Sequence, residues 1–210
     1  MKKTFFDSSL EAINFVCNSI KDKLIEDLNN LGSASLILTG GKTVRPFLSE
    51  IAKIDIPWNK VWVILSDERW VPTDDEQSNE KQLKDLFLSK LAEKPKYISL
   101  KTDDDPEDAI VKIESRLSVI PKPFSFCLLS MGSDGHIASL FANGENNDCN
   151  IVKVFKNGLY RIGLGLEEFK KCNNIFILVD KDRAIVLKEI NFGLLQSPLQ
   201  KLNLLNCIVC

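Results

Sequence analysis

The chain is short of residues that several common chemistries require. A single histidine, His136, stands among 210 residues. A zinc site built on two histidines is therefore excluded, and any imidazole proton transfer must run through that one side chain. Positive charge is not in excess: 27 lysines and arginines face 29 aspartates and glutamates, for a net charge of -2. Non-specific nucleic-acid binding rests on clustered cations, so no nucleic-acid partner is expected. An anionic ligand would have to be met by a few local basic residues. No apolar run approaches the roughly 18 residues of a membrane span. Lys2 and Lys3 are followed by Asp7 and Glu11 before any apolar stretch develops, unlike a secretory signal. These absences lead us to expect a cytoplasmic protein without a membrane partner, its six cysteines reduced. Cys207-x-x-Cys210 has the spacing of a redox or metal half-site, but a lone pair at the last residue favours a bland reading.

What is present fits one domain over residues 1–210, long enough to bury a sizeable core. Residues 8–31 carry apolar side chains at helical spacing, with Ser8 and Glu11 as a capping box and Gly32 as the stop. Ala34 to Leu38 is a short apolar run before Thr39-Gly40-Gly41, the signature of a buried strand. A helix is expected from Thr43 to Lys53, then a strand from Val61 to Leu65 and a helix from Ser78 to Leu91. A short strand from Tyr97 to Leu100 follows, and a helix opening at Asp105-Pro106 and running to Val119. Strands are expected at Phe124 to Leu129 and Ile175 to Val179, and a last helix from Asp182 to Leu195. The segment 142–158, rich in asparagine and glycine, reads as the longest surface loop. This alternation predicts an α/β, Rossmann-like, mostly parallel sheet with helices on both faces.

In such folds ligands bind beyond the carboxyl ends of the strands. Three strand-end segments carry chemistry. Thr39-Gly40-Gly41-Lys42-Thr43 is either a tight turn or an anion cradle, since glycines admit close backbone approach and Lys42 and Thr43 add donors. It is neither a Walker A loop nor a dinucleotide fingerprint. In Ser66-Asp67-Glu68-Arg69-Trp70, Arg69 is either a fork for an anion or the partner of Asp67 or Glu68. In Ser130-Met131-Gly132-Ser133-Asp134-Gly135-His136, the imidazole lies between glycines at a strand end, with Asp134 two residues away to orient it. An imidazole ordinarily titrates near 6.5, which suits a base at neutral pH.

Together, Leu38 to Thr43, Ser66 to Pro72 with Ser78-Asn79, and Met131 to Phe141 resemble the 6-phosphogluconolactonase family in residues, order and spacing. Arg161-Ile162-Gly163-Leu164 resembles the family's strand after the active-site loop, and Phe176 to Val179 the next. The resemblance implies hydrolysis of 6-phosphoglucono-1,5-lactone in the oxidative pentose phosphate pathway. It also implies a fold shared with glucosamine-6-phosphate deaminases and ribose-5-phosphate isomerases, and no metal or organic cofactor. Carried over, His136 is the base that deprotonates water and Asp134 supports it. Gly40, Gly41, Lys42 and Thr43 line the phosphate region, with Arg69 and either Lys156 or Arg161 adding to the clamp. The oxyanion donors are left to loop N–H groups or a cation. Lys42, Val44 and Ala142 depart from the family pattern of a small hydroxyl residue, a proline and a proline.

Two alternatives stand beside this. A glucosamine-6-phosphate deaminase shares the Gly-Gly loop and the Gly-x-Asp-Gly-His core, but continues Ile-Ala-Phe-Asn-Glu-Pro where this chain has Ile137-Ala138-Ser139-Leu140-Phe141. It also uses a second histidine, which is absent. A non-catalytic sugar-phosphate-binding module would keep the phosphate loop and lose the base, whereas His136 and Asp134 are both present. Monomer and homo-oligomer are equally compatible with the sequence.

Overall fold

A computed structural model describes residues 2–142, 144, 147–202 and 205–210. Seven strands form one sheet: β1 (Lys2–Phe5), β2 (Ala34–Leu38), β3 (Val61–Leu65), β5 (Lys96–Ile98), β6 (Phe126–Ser130), β9 (Ile175–Val179) and β10 (Leu205–Val209). Their spatial order is β1-β10-β9-β6-β2-β3-β5, and every neighbouring pair is parallel. All five residues of β2 and all five of β9 are buried. Successive strand residues point to opposite faces, so this burial means that both faces of the sheet are covered. Six helices supply the connections: α1 (Ser9–Leu31), α2 (Arg45–Ile51), α3 (Asn79–Leu86), α4 (Ala109–Ser118), α5 (Leu166–Phe169) and α6 (Ala184–Asn191).

The long first helix forms for the reasons its sequence gives. Ser8 and Glu11 make the expected capping box, and Gly32 closes the helix at φ 73°, a conformation open to glycine. Ala12, Val16, Ile20 and Leu24 bury one stripe against β2 and α2.

A second sheet of three antiparallel strands, β4 (Asp67–Arg69), β8 (Leu159–Leu164) and β7 (Ile151–Lys156), lies in the order β4-β8-β7. The chain crosses from one sheet to the other through Ser66, whose N–H donates to Leu38 and whose carbonyl accepts from Leu164. Here the expectations need correction. The segment 142–158 is not one loop, since β7 begins at Ile151; Asn143, Glu145 and Asn146 lie outside the described residues. β7 turns into β8 through Asn157-Gly158, at φ 53° and 79°, the two-residue hairpin that Asn-Gly favours. Asp67 to Arg69 is a strand rather than a loop. The Asp105-Pro106 helix starts only at Ala109, after a turn in which the Ala109 N–H bonds to Asp105. The remaining expected helices lose one or more turns to 3₁₀ or irregular ends. The two outer strands β1 and β10 were not foreseen.

The cysteines form no disulfide. Cys207 lies in β10 and Cys210 just beyond it. Among the described residues no helix is long and apolar enough to cross a membrane.

Candidate active site

The strand order fixes where a ligand can enter. From β2 the chain moves outward through β3 to β5, then returns to β6 on the other side of β2. β2 and β6 therefore flank the topological switch point, where strand-end loops diverge and leave a crevice. The loops after these strands, Thr39 to Thr43 and Met131 to His136, face each other there across a cleft of about 270 Å³. Gly40, Gly41, Lys42, Thr43, Arg69, Arg161 and His136 all line this cleft. Asp134 stands behind His136 rather than in the lining. Lys156 is not in the lining either; its ammonium lies 4.9 Å from the centre of the Phe141 ring.

The His136 ring is held on three sides. Its Nδ1 bonds to Asp134 Oδ1, whose carboxylate also accepts the His136 backbone N–H at 3.3 Å. With Nδ1 carrying a proton toward the carboxylate, Nε2 is the nitrogen free to accept one. Phe141 packs on the ring at 4.8 Å between centres. Gly132 meets the ring so closely that any Cβ there would collide with Cε1 and Nδ1. That approach is why this loop needs glycine at 132. Burial works to raise the Asp134 carboxyl, but the hydrogen bond and charge of His136, with backbone N–H groups, outweigh it and hold the group below its ordinary pKa.

The loop after β2 is divided in its use. The Gly41 N–H is taken by Gln82 Oε1 at 3.2 Å, and Gln82 Nε2 returns a bond to the Gly41 carbonyl. Gly41 is thus locked to α3, while the N–H groups of Gly40, Lys42 and Thr43 have no partner among the described residues. The Thr43 hydroxyl donates to Asp180 at 2.9 Å, which sets it as structure rather than as a free ligand.

The small sheet sorts the second motif by strand alternation. Asp67 and Arg69 share one face of β4, and Glu68 takes the other. Glu68 is fully buried and accepts from the N–H groups of Arg69, Asn79 and Glu80 and from the Ser78 hydroxyl, pinning β4 to the start of α3. Burial pushes its carboxyl up even against those donors. Asp67, buried in the cleft wall, accepts from Ser66 Oγ at 3.1 Å and Ser139 Oγ at 2.8 Å. Among the described residues neither carboxylate pairs with the Arg69 guanidinium, which donates instead to the Gln77 carbonyl at 2.7 Å. Arg69 sits directly opposite Arg161 in register, and Asp67 opposite Gly163. A Cβ on Gly163 would lie 2.7 Å from Asp67 Cβ, so the absence of a side chain there lets the strands meet.

Arg183 was missed by the sequence reading. It lines the cleft, donates to the Met131 carbonyl at 2.7 Å and pairs with Asp180 at 3.3 Å. It follows the end of β9, so the strand-end rule that selected three loops would have selected this fourth. Among the described residues, Lys42, Arg69, Arg161 and Arg183 share the lining with one carboxylate, Asp67. The side chains of Lys42 and Arg161 have no polar partner among the described residues, and Arg161 Nε is buried without one. Such a cleft can take an anion on its cationic side chains and present a base to it.

The family model described as "Glucosamine-6-phosphate isomerases/6-phosphogluconolactonase" matches residues 7–200. A curated 6-phosphogluconolactonase of Thermotoga maritima is 31% identical over 141 residues, covering 67% of this chain and 64% of the relative. The matches span between about half and two thirds of the length of the curated relatives. Among solved structures, a 6-phosphogluconolactonase from Shewanella baltica superposes with a TM-score of 0.88 at 24% identity, covering 100% of this chain and 97% of the other. A monomeric glucosamine-6-phosphate deaminase superposes at 0.85 with 16% identity, over 100% and 97% of the two chains. At those identities the likeness is one of fold.

Proposed function

The chain belongs to the glucosamine-6-phosphate isomerase/6-phosphogluconolactonase family, and from that premise we propose that it hydrolyses 6-phospho-D-glucono-1,5-lactone to 6-phospho-D-gluconate in the oxidative pentose phosphate pathway. The observation that carries the reading is one imidazole, tied through Nδ1 to Asp134, lining the same cleft as four cationic side chains. The phosphate sits against the free N–H groups of the loop after β2, with Lys42, Arg69, Arg161 and Arg183 supplying charge-assisted contacts. His136 Nε2 takes a proton from water as its oxygen adds to the lactone carbonyl. The resulting imidazolium returns that proton to the ring oxygen as the C–O bond breaks. Asp134 stays ionised throughout and stabilises the imidazolium. Base assistance of this kind contributes roughly 10²–10⁴-fold.

The test is turnover of freshly generated lactone, with its spontaneous rate subtracted, by wild type and His136→Ala in parallel. Wild type is expected to accelerate hydrolysis. The variant should lose at least about 10²-fold in kcat while still binding 6-phosphogluconate. Wild type that binds 6-phosphogluconate without accelerating hydrolysis would be a sugar-phosphate-binding module. Ammonia release from glucosamine 6-phosphate would mark a deaminase.

A further inference from the structure

Addition of water to a lactone carbonyl moves an electron pair onto the carbonyl oxygen, and that oxyanion needs a donor in a dry place. The cationic side chains are engaged by the proposed phosphate site, so the donor has to be sought near His136. The hairpin that follows it is unusual. Ile137 and Leu140 bond to each other in both directions, at 3.2 and 2.8 Å, and enclose the two-residue turn Ala138-Ser139. Ala138 has φ 49°, a conformation that costs an alanine energy and that such turns normally give to glycine. The turn cannot relax, because Ile137 is bridged to Met131 and the Ser139 hydroxyl is bound to Asp67.

Ala138 lines the cleft and is only 7% exposed, yet its N–H has no partner among the described residues. A backbone donor left unpaired in the wall of a cleft is available to a ligand there. Of the other N–H groups in this segment, that of Ser133 is unpartnered on an exposed residue, that of Asp134 lies against its own carboxylate, and that of Ser139 is unpartnered on a residue that does not line the cleft. Gly132 donates to the His136 carbonyl and is spoken for. Resting on the lactonase reading, we propose that the backbone N–H of Ala138 is the donor that stabilises the oxyanion formed when water adds to the lactone carbonyl.

The step balances. The water proton passes to His136 Nε2, its oxygen bonds to the carbonyl carbon, and the π electron pair goes to the oxygen that the Ala138 N–H receives. Collapse returns that pair to the carbonyl, expels the ring oxygen and gives it the proton from His136. Base and oxyanion donor are thus two residues apart on one segment braced at Met131 and Asp67, and as the first residue of a two-residue turn Ala138 keeps its N–H outside the hairpin ladder.

Replacing residue 138 by the α-hydroxy analogue of alanine converts its amide to an ester and removes that N–H. The expected result is a kcat loss of about 10²–10³-fold with KM within a few-fold, as for other single oxyanion donors. The ester also weakens the Ile137 carbonyl as acceptor. The control is therefore the α-hydroxy analogue of leucine at position 140, which breaks the same turn bond and keeps the Ala138 N–H; it should cost less than about a tenth as much. Equal losses in the two esters, or none at 138, overturn the proposal. Wild type labelled with ¹⁵N at alanine supplies a readout free of folding effects. The Ala138 amide proton should move downfield on saturation with 6-phosphogluconate, whose carboxylate oxygen occupies the oxyanion position, and an unmoved signal overturns the assignment. Wild type that fails to accelerate lactone hydrolysis would instead defeat the lactonase reading itself.

Discussion

The two sheets of this molecule are built on opposite terms. The seven-stranded parallel sheet is apolar and covered on both faces, and the loops at its switch point carry the imidazole and the anion cradle. The three-stranded antiparallel sheet is short, and it sets Arg69 directly opposite Arg161, a like-charge pair that opposes strand pairing. Stability is concentrated in the first, while the second contributes two of the four cleft cations, Arg69 and Arg161. The lesson is that the platform and the binding charge of this cleft are separable, so substitutions in the two sheets should fail in different ways.

The largest effect is expected on the parallel-sheet side, at Gly132. A Cβ there would overlap the His136 ring, so Gly132→Ala should displace the base and lower kcat by at least about 10²-fold, the contribution of general-base catalysis. The thermal midpoint should barely move, because the loop's own hydrogen bonds remain. A Tm drop in proportion to the lost activity would mean that the loop, rather than the ring, had been disturbed.

The next effect falls where β4 is pinned to the start of α3. Glu68→Gln keeps the shape of a buried side chain that accepts four donors, but presents an NH₂ group to some of them. A buried donor left unsatisfied costs about 1–3 kcal/mol, so urea or thermal unfolding should show a loss of at least about 2 kcal/mol. Unchanged stability would show that β4 is not anchored through this carboxylate, and the separation of the sheets would be weaker than drawn here.

The same contrast explains what could be read from the sequence. β2, β3, β6 and β9 are apolar runs bounded by turn residues, and α1 carries both of its caps, so the parallel core and the position of its loops were legible. The His136 loop was legible for the same reason: glycines and a lone imidazole follow a buried strand. The small sheet was not. Asp67-Glu68-Arg69 has the composition of a loop, and its side chains are sorted by a strand alternation that only the partner β8 reveals. Asn157-Gly158 was a local hairpin signal that the polarity of 142–158 concealed. Nothing local marks Ala138, whose positive φ is imposed by the bonds of its neighbours.

Arg161→Gln isolates the charge term of the small sheet. It removes a cation from the cleft, a buried Nε without a partner and one member of the Arg69–Arg161 pair. KM for the lactone should rise about 10-fold through loss of a charge-assisted contact, with kcat little changed. Stability should hold or rise by a few tenths of a kcal/mol as the opposed charges are relieved. A fall in stability together with an unchanged KM would make Arg161 a structural residue and break the division between the sheets.

The smallest effect is the pH dependence of stability contributed by Asp134, whose side chain is 54% exposed and so largely screened by solvent. Its folded pKa lies below the ordinary value, because the His136 hydrogen bond and charge, with backbone N–H groups, outweigh burial. A carboxyl of lowered pKa adds stability that is present above its unfolded pKa of about 4 and lost as the pH falls through the folded value. The difference in Tm between wild type and Asp134→Asn should therefore be small but measurable near pH 5 and vanish in stronger acid. A difference that grew on acidification would mean that burial governs this carboxyl. Asp134 would then strain the loop rather than brace it, and the base would owe its orientation to Gly132 and Phe141 alone.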